Sequence, residues 1–388
     1  MVIDLSNLES QTAVSNTKAS LKELALVFLK LGTIAFGGPA AHIAMMEDEV
    51  VRRKNWLEQE KFLDLLGMTN LIPGPNSTEL AIHIGYVQAG FLGLLVAGSC
   101  FILPAALIVG AIAWAYVSFS TLPVATGLLY GVKPVVIAVV LQALIRLFRT
   151  AIKTKFLAAI GLIAVVLSFL GVNELIVLFG GGIVAISQGL NRQPPTAVLA
   201  LTPIVMAQAV KTAPVSFSLW SLFLFFLKVG AVLFGSGYVL LAFLRADLVE
   251  RWHWLSDAQL LDAIAIGQVT PGPVFTTATF IGYVLAGPLG AVISTLGIFL
   301  PAFLFVALSS PLVPFLRRST IAGAFLDGLN VASLALMAVV TWQLSQAALI
   351  DWVTVMLVIF STIMLISLRI NSAWLVLGGA IIGLLTFN

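Results

Sequence analysis

FLKLGTIAFGG at residues 28–38 and FLKVGAVLFGS at residues 226–236 are two versions of one segment, and they lie 198 positions apart. LIPGP at 71–75 returns at the same distance as VTPGP at 269–273. Repetition of long apolar segments on this scale is typical of secondary transporters, which are built from structural repeats. The chain therefore carries two copies of one unit, each close to half its length.

Hydrophobic residues make up 60% of the chain and charged residues only 10%, and the mean hydropathy is +1.09. A water-soluble protein keeps a largely polar surface, so this composition indicates an integral membrane protein. The net charge of +3 arises from 20 Lys and Arg against 17 Asp and Glu, which is ordinary for a membrane protein with basic cytoplasmic loops. We expect the lipid bilayer as a partner and no nucleic acid.

The residues that carry most enzyme chemistry are scarce. Cys100 is the single cysteine, which excludes an intrachain disulfide and a cysteine metal site. The three histidines, His42, His83 and His253, lie far apart without ligand spacing, and the chain has no phosphate loop or nucleophile elbow. We therefore expect no enzyme activity, no metal and no cofactor.

Apolar runs long enough to cross about 30 Å of hydrocarbon occur five times in each half. They lie near 21–37, 91–117, 123–145, 156–171 and 173–190, and near 218–235, 288–310, 320–345, 353–369 and 373–387. We predict an all-α integral membrane protein with an N-terminal transmembrane repeat at 1–190, a linker at 191–217 and a C-terminal repeat at 218–388. The apolar part of the linker, 196–207, is too short and too interrupted by proline to assign to the membrane.

Between the first and second span of each half, a Pro-Gly-Pro sequence separates two short helical stretches. The pairs are 59–72 with 76–90, and 257–270 with 274–286. An arm of about 14 residues reaches only about 21 Å, which is too short to cross alone. We predict a re-entrant hairpin in each half, with its tip inside the membrane and either buried in protein or facing a cavity. The alternative is an interfacial turn between two tilted full spans.

Five crossings are an odd number, so the second half must enter the membrane upside down. The positive-inside rule favours this arrangement if the N-terminus is outside, because the basic residues at 52–61 and 146–155 then fall in the cytoplasm. Arg52-Arg53-Lys54 corresponds to Glu250-Arg251-Trp252, whose basic excess is gone. We predict two inverted-topology repeats with both termini outside the cytoplasm.

Lys30 lies in the middle of the first predicted span, and Lys228 takes the same place in the second half. A lysine at that depth costs about 2.5–3.5 kcal/mol on insertion scales, so two lysines at matched positions indicate a cavity and an anionic partner. The alternative is a lysine that snorkels to the surface or pairs with a carboxylate, for which Asp64 and Asp262 are the matched candidates.

The hairpin tips give the stronger signal for a binding site. A helix that starts inside the membrane presents free backbone N–H groups and the positive end of its dipole, and two such ends facing each other would bind a small anion. Glycine-rich breaks after the first spans permit equally close backbone approach, although helix packing also explains some of these glycines. The candidates are Pro73, Gly74, Pro75, Asn76, Ser77, Thr78, Pro271, Gly272, Pro273, Thr276 and Thr277 at the tips, and Gly37, Gly38, Gly235 and Ser236 at the breaks.

Glu79 and His83 break the symmetry of the two halves, because their counterparts are hydroxylic or apolar. They lie four residues apart on one helical face, just past the first tip. A carboxylate and an imidazole at that depth are candidates for taking up a proton during transport. The alternative is a static pair in which each group satisfies the other.

Three runs, FLKLGTIAFGGPAAHIAMMEDEVV, WLEQEKFLDLLGMTNLIPGPNSTELAIHIGY and GQVTPGPVFTTATFIGY, resemble the two-domain chromate ion transporter family of bacteria, over roughly residues 21–345. The resemblance implies a protein of the bacterial inner membrane that exports chromate and confers chromate resistance, with sulfate as a similar anion and uptake of sulfate in some members. Beyond the residues named above, it carries over Pro39, Asn70 and Gln268 as motif positions.

Other functions stay open on the sequence alone. They are uptake of sulfate or another oxyanion by proton symport, and an oxyanion channel in which the two tips frame a continuous pore. A homodimer is a further expectation.

Overall fold

The computed structural model describes residues 18–36, 38–119, 123–190, 216–234, 239–309, 320–368 and 370–386. Within these ranges the ordered elements are helices, which confirms the all-α fold, and they form two series of seven. The predictions for Gly37, Gly235, Ser236 and most of the linker 191–217 lie outside the described residues.

The helices of the two series correspond one to one. The first series is α1 (Leu21–Ile34), α2 (Gly38–Glu47, continued by a π-helical turn at Asp48–Arg53), α3 (Gln59–Thr69), α4 (Asn76–Phe119), α5 (Pro123–Ala151), α6 (Lys155–Phe169) and α7 (Glu174–Leu190). The second is α8 (Leu219–Val232), α9 (Leu240–Leu244, continued by a π-helical turn at Arg245–Arg251), α10 (Asp257–Val269), α11 (Thr277–Ser309, preceded by a 3-10 turn at Val274–Thr276), α12 (Thr320–Ala348), α13 (Trp352–Ser367) and α14 (Ser372–Thr386).

Helix α4 is broken at Ala89–Gly90, where Gly90 has φ +62°, and α11 is broken in the same way at Ala286–Gly287. The two parts of each helix fold back on one another. In α11 the hydroxyls of Thr279 and Thr295 lie 2.7 Å apart, and in α4 a Cβ atom on Gly85 would meet the carbonyl oxygen of Gly93. The short arm, 76–88 in the first half, therefore pairs with α3 as the predicted hairpin, and a separate long arm follows.

The first helix of each half belongs to a second hairpin, which differs from the prediction of a full span. Lys30 of α1 contacts Glu49 at 2.9 Å, although the two are far apart in sequence. At the other end, the Gln88 side chain accepts from the Ala19 N–H at 3.1 Å and donates to the Trp56 carbonyl at 2.8 Å. Residues 19, 56 and 88 thus lie together at one end of the bundle. Helix α1 runs from this end toward the middle of the bundle, and α2 returns to the same end.

Each described half therefore has two hairpins followed by four further helical segments, which are the long arm of α4 or α11 and the three helices after it. Within the described residues, α4, α5, α11 and α12 are long and apolar enough to cross a membrane. The sequence misleads here because α1 has about 21 Å of helix and the apolar residues continue past its end, so the run looks long enough to cross.

The inversion itself is visible in the long arms of α4 and α11. Gly98 lies against Phe303, and Leu94 shares a cluster with Val306 nearer the other end of the α11 arm, so the two arms run antiparallel. The C-terminal helix α14 reaches Gly127 at the start of α5 with its Gly383, far from Ala19. The first and last described residues therefore lie at opposite ends of the bundle, an arrangement that does not favour both ends of the chain on one side.

The crossing helices of the two halves are exchanged. Helix α5 packs on α13 and α14 of the other half, and α12 packs in the same way on α6 and α7. Matched glycines make both contacts close, since a Cβ atom on Gly131 would meet Gly379 and one on Gly328 would meet Gly181. The exchanged helices form a frame around the four hairpins.

Candidate functional site

The two Pro-Gly-Pro tips are bonded across the pseudo-two-fold axis. The N–H of Gly74 donates to the carbonyl of Leu233 at 2.6 Å, and the N–H of Gly272 donates to the carbonyl of Ala35 at 2.9 Å. Each tip thus caps the end of the first helix of the other half. Four hairpin ends meet at this point.

The tips lie halfway along the long arms. A Cβ atom on Gly272 would meet Ala105, and one on Gly74 would lie 3.6 Å from the Cβ of Ala302; both alanines stand near the middle of their arms. Both glycines have positive φ, +143° at Gly74 and +85° at Gly272, which other residues rarely adopt. Both tips therefore lie beside the middle of a long apolar helix.

The binding groups at the first tip are fewer than predicted, because the N–H of Gly74 is already used. The N–H groups of Thr78 and Glu79 donate to the Pro75 carbonyl within the first turn. Among the described residues, no acceptor faces the N–H groups of Asn76 and Ser77. These two groups at the start of α4 are the ones left for an anion.

His42 joins this tip, and sequence reasoning missed it. Its Nε2 lies 3.1 Å from the Ala35 carbonyl oxygen, which only accepts, so Nε2 carries the hydrogen. Nδ1 then accepts from the Ser77 hydroxyl at 3.3 Å. The histidine is 1% exposed. The contact depends on the return of α2, which a full span at 21–37 did not predict.

The second tip is apolar where the first is polar. Leu240 and Phe275 stand at the positions of His42 and Ser77. The predicted Thr276 and Thr277 bond to their own turn, with hydroxyls 2.8 Å from the carbonyls of Pro273 and Val274. The two tips therefore do not present matching polar groups.

Glu79 and His83 do not form the static pair that was one alternative. Glu79 is fully buried, and neither carboxylate oxygen has a hydrogen-bond partner among the described residues; the same holds for Nε2 of His83. The Glu79 carboxyl lies under the tip, where a Cβ atom on Gly74 would meet it. A buried ionised carboxylate without a partner costs several kcal/mol, so this group needs a proton or a ligand.

Lys30 and Lys228 have carboxylate partners, Glu49 at 2.9 Å and Asp247 respectively. The partners lie on the π-helical turns and are not Asp64 and Asp262. Arg53 and Arg251 complete the two clusters, since each contacts the same carboxylate. The geometry thus matches the paired alternative, with each lysine holding its first helix to the returning one.

A cavity of about 360 Å³ lies between the first tip and the frame helices α5 and α12. Asn76 and Asn70 reach it from the first half, and Nδ2 of Asn76 donates to Oδ1 of Asn70 at 2.8 Å. Pro39, the residue after Gly38, also lines it. Arg146 is exposed in this cavity and has no ion pair within the described parts of the chain.

The frame supplies further polar groups that sequence reasoning did not assign to a site. Asn330 and Ser333 of α12 face the cavity, and Ser333 is buried with an unpartnered hydroxyl. Lys153 also lines it but is bonded to Asp327 at 2.7 Å. The sequence marks Arg146 and Lys153 only as basic residues of a loop region, and nothing in their spacing indicates a shared cavity with Asn70.

Comparisons with known proteins agree with this architecture. The family model described as "Chromate transporter" matches twice, at residues 22–186 and 220–384. A "Chromate transport protein" of Cupriavidus metallidurans is 32% identical over 375 residues, covering 95% of this chain and 94% of that protein. A "Chromate transport protein" of Pseudomonas aeruginosa is 33% identical over 340 residues, covering 84% and 82%.

An uncharacterized transporter of Methanocaldococcus jannaschii is 29% identical over 378 residues, with 92% of each chain covered. No solved structure matches. The family match covers both repeats and most of the chain, so this multi-pass membrane protein belongs to the chromate transporter family.

Proposed function

We propose that the protein is a secondary transporter of chromate or a similar tetrahedral oxyanion, and that the anion binds in the cavity beside the first tip. The supporting observation is Arg146, a cation without an ion pair among the described residues, in a cavity that also holds the amides of Asn70 and Asn330. An oxyanion presents acceptors only, and a guanidinium and amides supply the donors. The N–H groups of Asn76 and Ser77 add a positive helix end.

The cavity faces the cytoplasm in this proposal. It lies at the end of the bundle that holds Lys153, and the basic loop at 52–54 lies at the same end, beside Ala19. The positive-inside rule places that end in the cytoplasm of a bacterial inner membrane. The N-terminus is then cytoplasmic and the C-terminus outside. A membrane-impermeant thiol reagent should reach cysteines placed at residues 18 and 54 from the same side.

Export is the direction that the energetics favour. Moving a dianion outward through about 150 mV, inside negative, releases roughly 7 kcal/mol, because each charge contributes about 2.3 kcal/mol per 100 mV. Export can therefore run on the membrane potential alone and would lower cytoplasmic chromate, giving resistance. Uptake of the same dianion needs at least two co-transported protons to cancel its charge.

The buried Glu79 favours proton coupling as a second candidate mechanism. It is a carboxyl without a partner among the described residues, and it touches the tip that must move if the site is to open to the other side. Proton-driven transport of chromate, or symport of sulfate, would use Glu79 as the proton carrier with His83 beside it. An oxyanion channel lacks this specific support.

Flux of labelled chromate and labelled sulfate in proteoliposomes tests the proposal, with voltage and pH gradient set independently. We expect saturable chromate flux with counterflow, driven toward the positive side. Flux of neither anion would contradict the proposal, and a conductance without counterflow would indicate a channel. Arg146→Gln should raise the KM for chromate about tenfold, the effect of losing one charge-assisted bond, whereas Arg149→Gln on the same helix should not.

A further inference from the structure

The two hairpins of each half form a hairpin pair: α1–α2 and α3–α4 in the first, and α8–α9 and α10–α11 in the second. These two hairpin pairs pack differently against the frame. Helix α10 packs on α5, α12 and α14, whereas its counterpart α3 packs chiefly on α4. All five residues of α9 are buried, but in α2 only His42 and Met46 are. The frame is therefore closed around the second hairpin pair and open around the first, where the cavity lies.

A buried polar cluster fills the closed side. Nζ of Lys133 on α5 lies 3.1 Å from Oδ1 of Asp262 on α10, and the Tyr116 hydroxyl donates to Oδ2 of Asp262 at 2.9 Å. The Asp262 side chain is 4% exposed and that of Lys133 is 20% exposed. The carboxylate thus has an ion-pair contact with Lys133 and one hydrogen bond, from the Tyr116 hydroxyl.

The repeat relates this cluster to the open cavity. Lys133 corresponds to Asn330, Gln268 to Asn70, and Gln343 to Arg146. Asn70, Asn330 and Arg146 all line the open cavity. A conformation in which the frame moved to the other hairpin pair would open the matched space around Lys133 and Gln268.

We propose that Lys133 is the anion-binding cation of a second cavity on the opposite face, which this conformation closes by pairing Lys133 with Asp262. The proposal rests on the proposed oxyanion transport. Each cavity then has one basic residue left for the anion, Arg146 on one face and Lys133 on the other, since Lys153 in the first cavity is bonded to Asp327. The repeat does not superpose the positions of Arg146 and Lys133. The anion would pass from one to the other through the tips.

Asp262 acts in this scheme as a built-in substitute for the substrate. A carboxylate oxygen and an oxyanion oxygen accept from the same donors, so the Lys133 ammonium and the Tyr116 hydroxyl can exchange Asp262 for a bound anion. In the closed state Asp262 neutralises a lysine that burial would otherwise make costly. In the open state the anion competes with Asp262 for the lysine.

Counterflow of labelled chromate in proteoliposomes of known orientation tests the idea, with KM measured separately from each face. Lys133→Gln alone would leave the buried Asp262 carboxylate without its cation. The main variant is therefore Lys133→Gln with Asp262→Asn, which removes both charges. We expect KM at the face of Lys133 to rise about tenfold or more, as for loss of a charge-assisted bond, with KM at the other face unchanged within about twofold. Asp262→Asn alone should lower KM at the face of Lys133, because the competitor is gone.

Tyr130→Phe provides a matched control, since Tyr130 lies on the same helix and bonds Asp351 outside the cluster. An unchanged KM from the face of Lys133 in the double variant, at normal abundance in the membrane, would overturn the assignment of Lys133. Equal rises in KM from both faces would also overturn it, because they indicate a general packing defect. Absence of chromate flux in the unsubstituted protein would instead reject the proposed function, and this inference with it.

Discussion

The first and second hairpin pairs share a backbone but not a chemistry. The Pro-Gly-Pro turns, the positive-φ glycines and the bonds from Gly74 and Gly272 to the opposite half are the same in both. The first pair carries His42, Ser77 and Glu79 around its tip and borders an open cavity, whereas the second is apolar at its tip and packed against the frame. Features common to both pairs are therefore assigned a structural role, and features found in only one pair are assigned a role in transport.

By this criterion the two lysine clusters have a structural role. Lys30 with Glu49 and Lys228 with Asp247 occupy matched positions, and each carboxylate also contacts an arginine. A site that changed its accessibility during transport would be expected to differ between the open and the closed pair. The pairing of lysine, carboxylate and arginine is the same in both clusters, and they differ only in the second partner of the arginine, which is Asp48 for Arg53 and Glu174 for Arg251.

The largest expected effect is at the tip glycines, where the two hairpin pairs agree. Ala at Gly272 must adopt φ near +85° and place its Cβ on Ala105, so the tip cannot keep its bond to Ala35. We expect Gly272→Ala, and likewise Gly74→Ala, to abolish chromate flux. Gly110→Ala is the matched control, because a Cβ there meets nothing within 4 Å. Full flux in both tip variants would place the anion site away from the tips.

The next effect separates the two hairpin pairs. Glu79→Thr installs the residue that the second half has at this position, Thr277, and removes the buried carboxyl. If Glu79 carries the coupled proton, chromate flux should lose its response to an imposed pH gradient while keeping its response to voltage. Flux in proteoliposomes under each gradient alone measures this. A variant that still follows the pH gradient would exclude Glu79 as the carrier.

The sequence predicted the features that local backbone geometry determines, and it missed those that depend on contacts between distant helices. Pro73-Gly74-Pro75 and the Gly90 break stop helices by backbone geometry alone, so the hairpins and the long arms were predictable. The course of α1 was not, because its reversal depends on tertiary contacts of Lys30 and Gln88. The prediction of a full span also hid His42, whose site exists only once α2 returns. Arg146 was hidden for a similar reason, since its cavity forms between helices of opposite halves.

A smaller effect tests whether the two lysines, Lys30 and Lys228, have a structural role. Asp247 is 3% exposed and Glu49 11% exposed at the side chain, so loss of the lysine leaves Asp247 in the drier position. Lys228→Gln should therefore lower the thermal unfolding temperature in detergent more than Lys30→Gln does. The partly exposed Lys30 pair should contribute no more than about 1 kcal/mol. If either variant lost chromate affinity without losing stability, the lysines would have to be assigned to anion binding instead.

The smallest effect compares two hydroxyls that the sequence alone treats as equivalent. Ser77 donates to Nδ1 of His42 at the open tip, whereas the Thr276 hydroxyl bonds the Pro273 carbonyl of its own turn. Ser77→Ala leaves the buried ring nitrogen of His42 without its donor and should change chromate affinity by about 0.5–1.5 kcal/mol, the net value of a typical hydrogen bond. Thr276→Val keeps the shape of the side chain and removes a bond that no ligand shares, so its affinity should match that of the unsubstituted protein. KM values from flux at matched abundance distinguish the two, and equal losses in both variants would mean that the tips act as a symmetric pair after all.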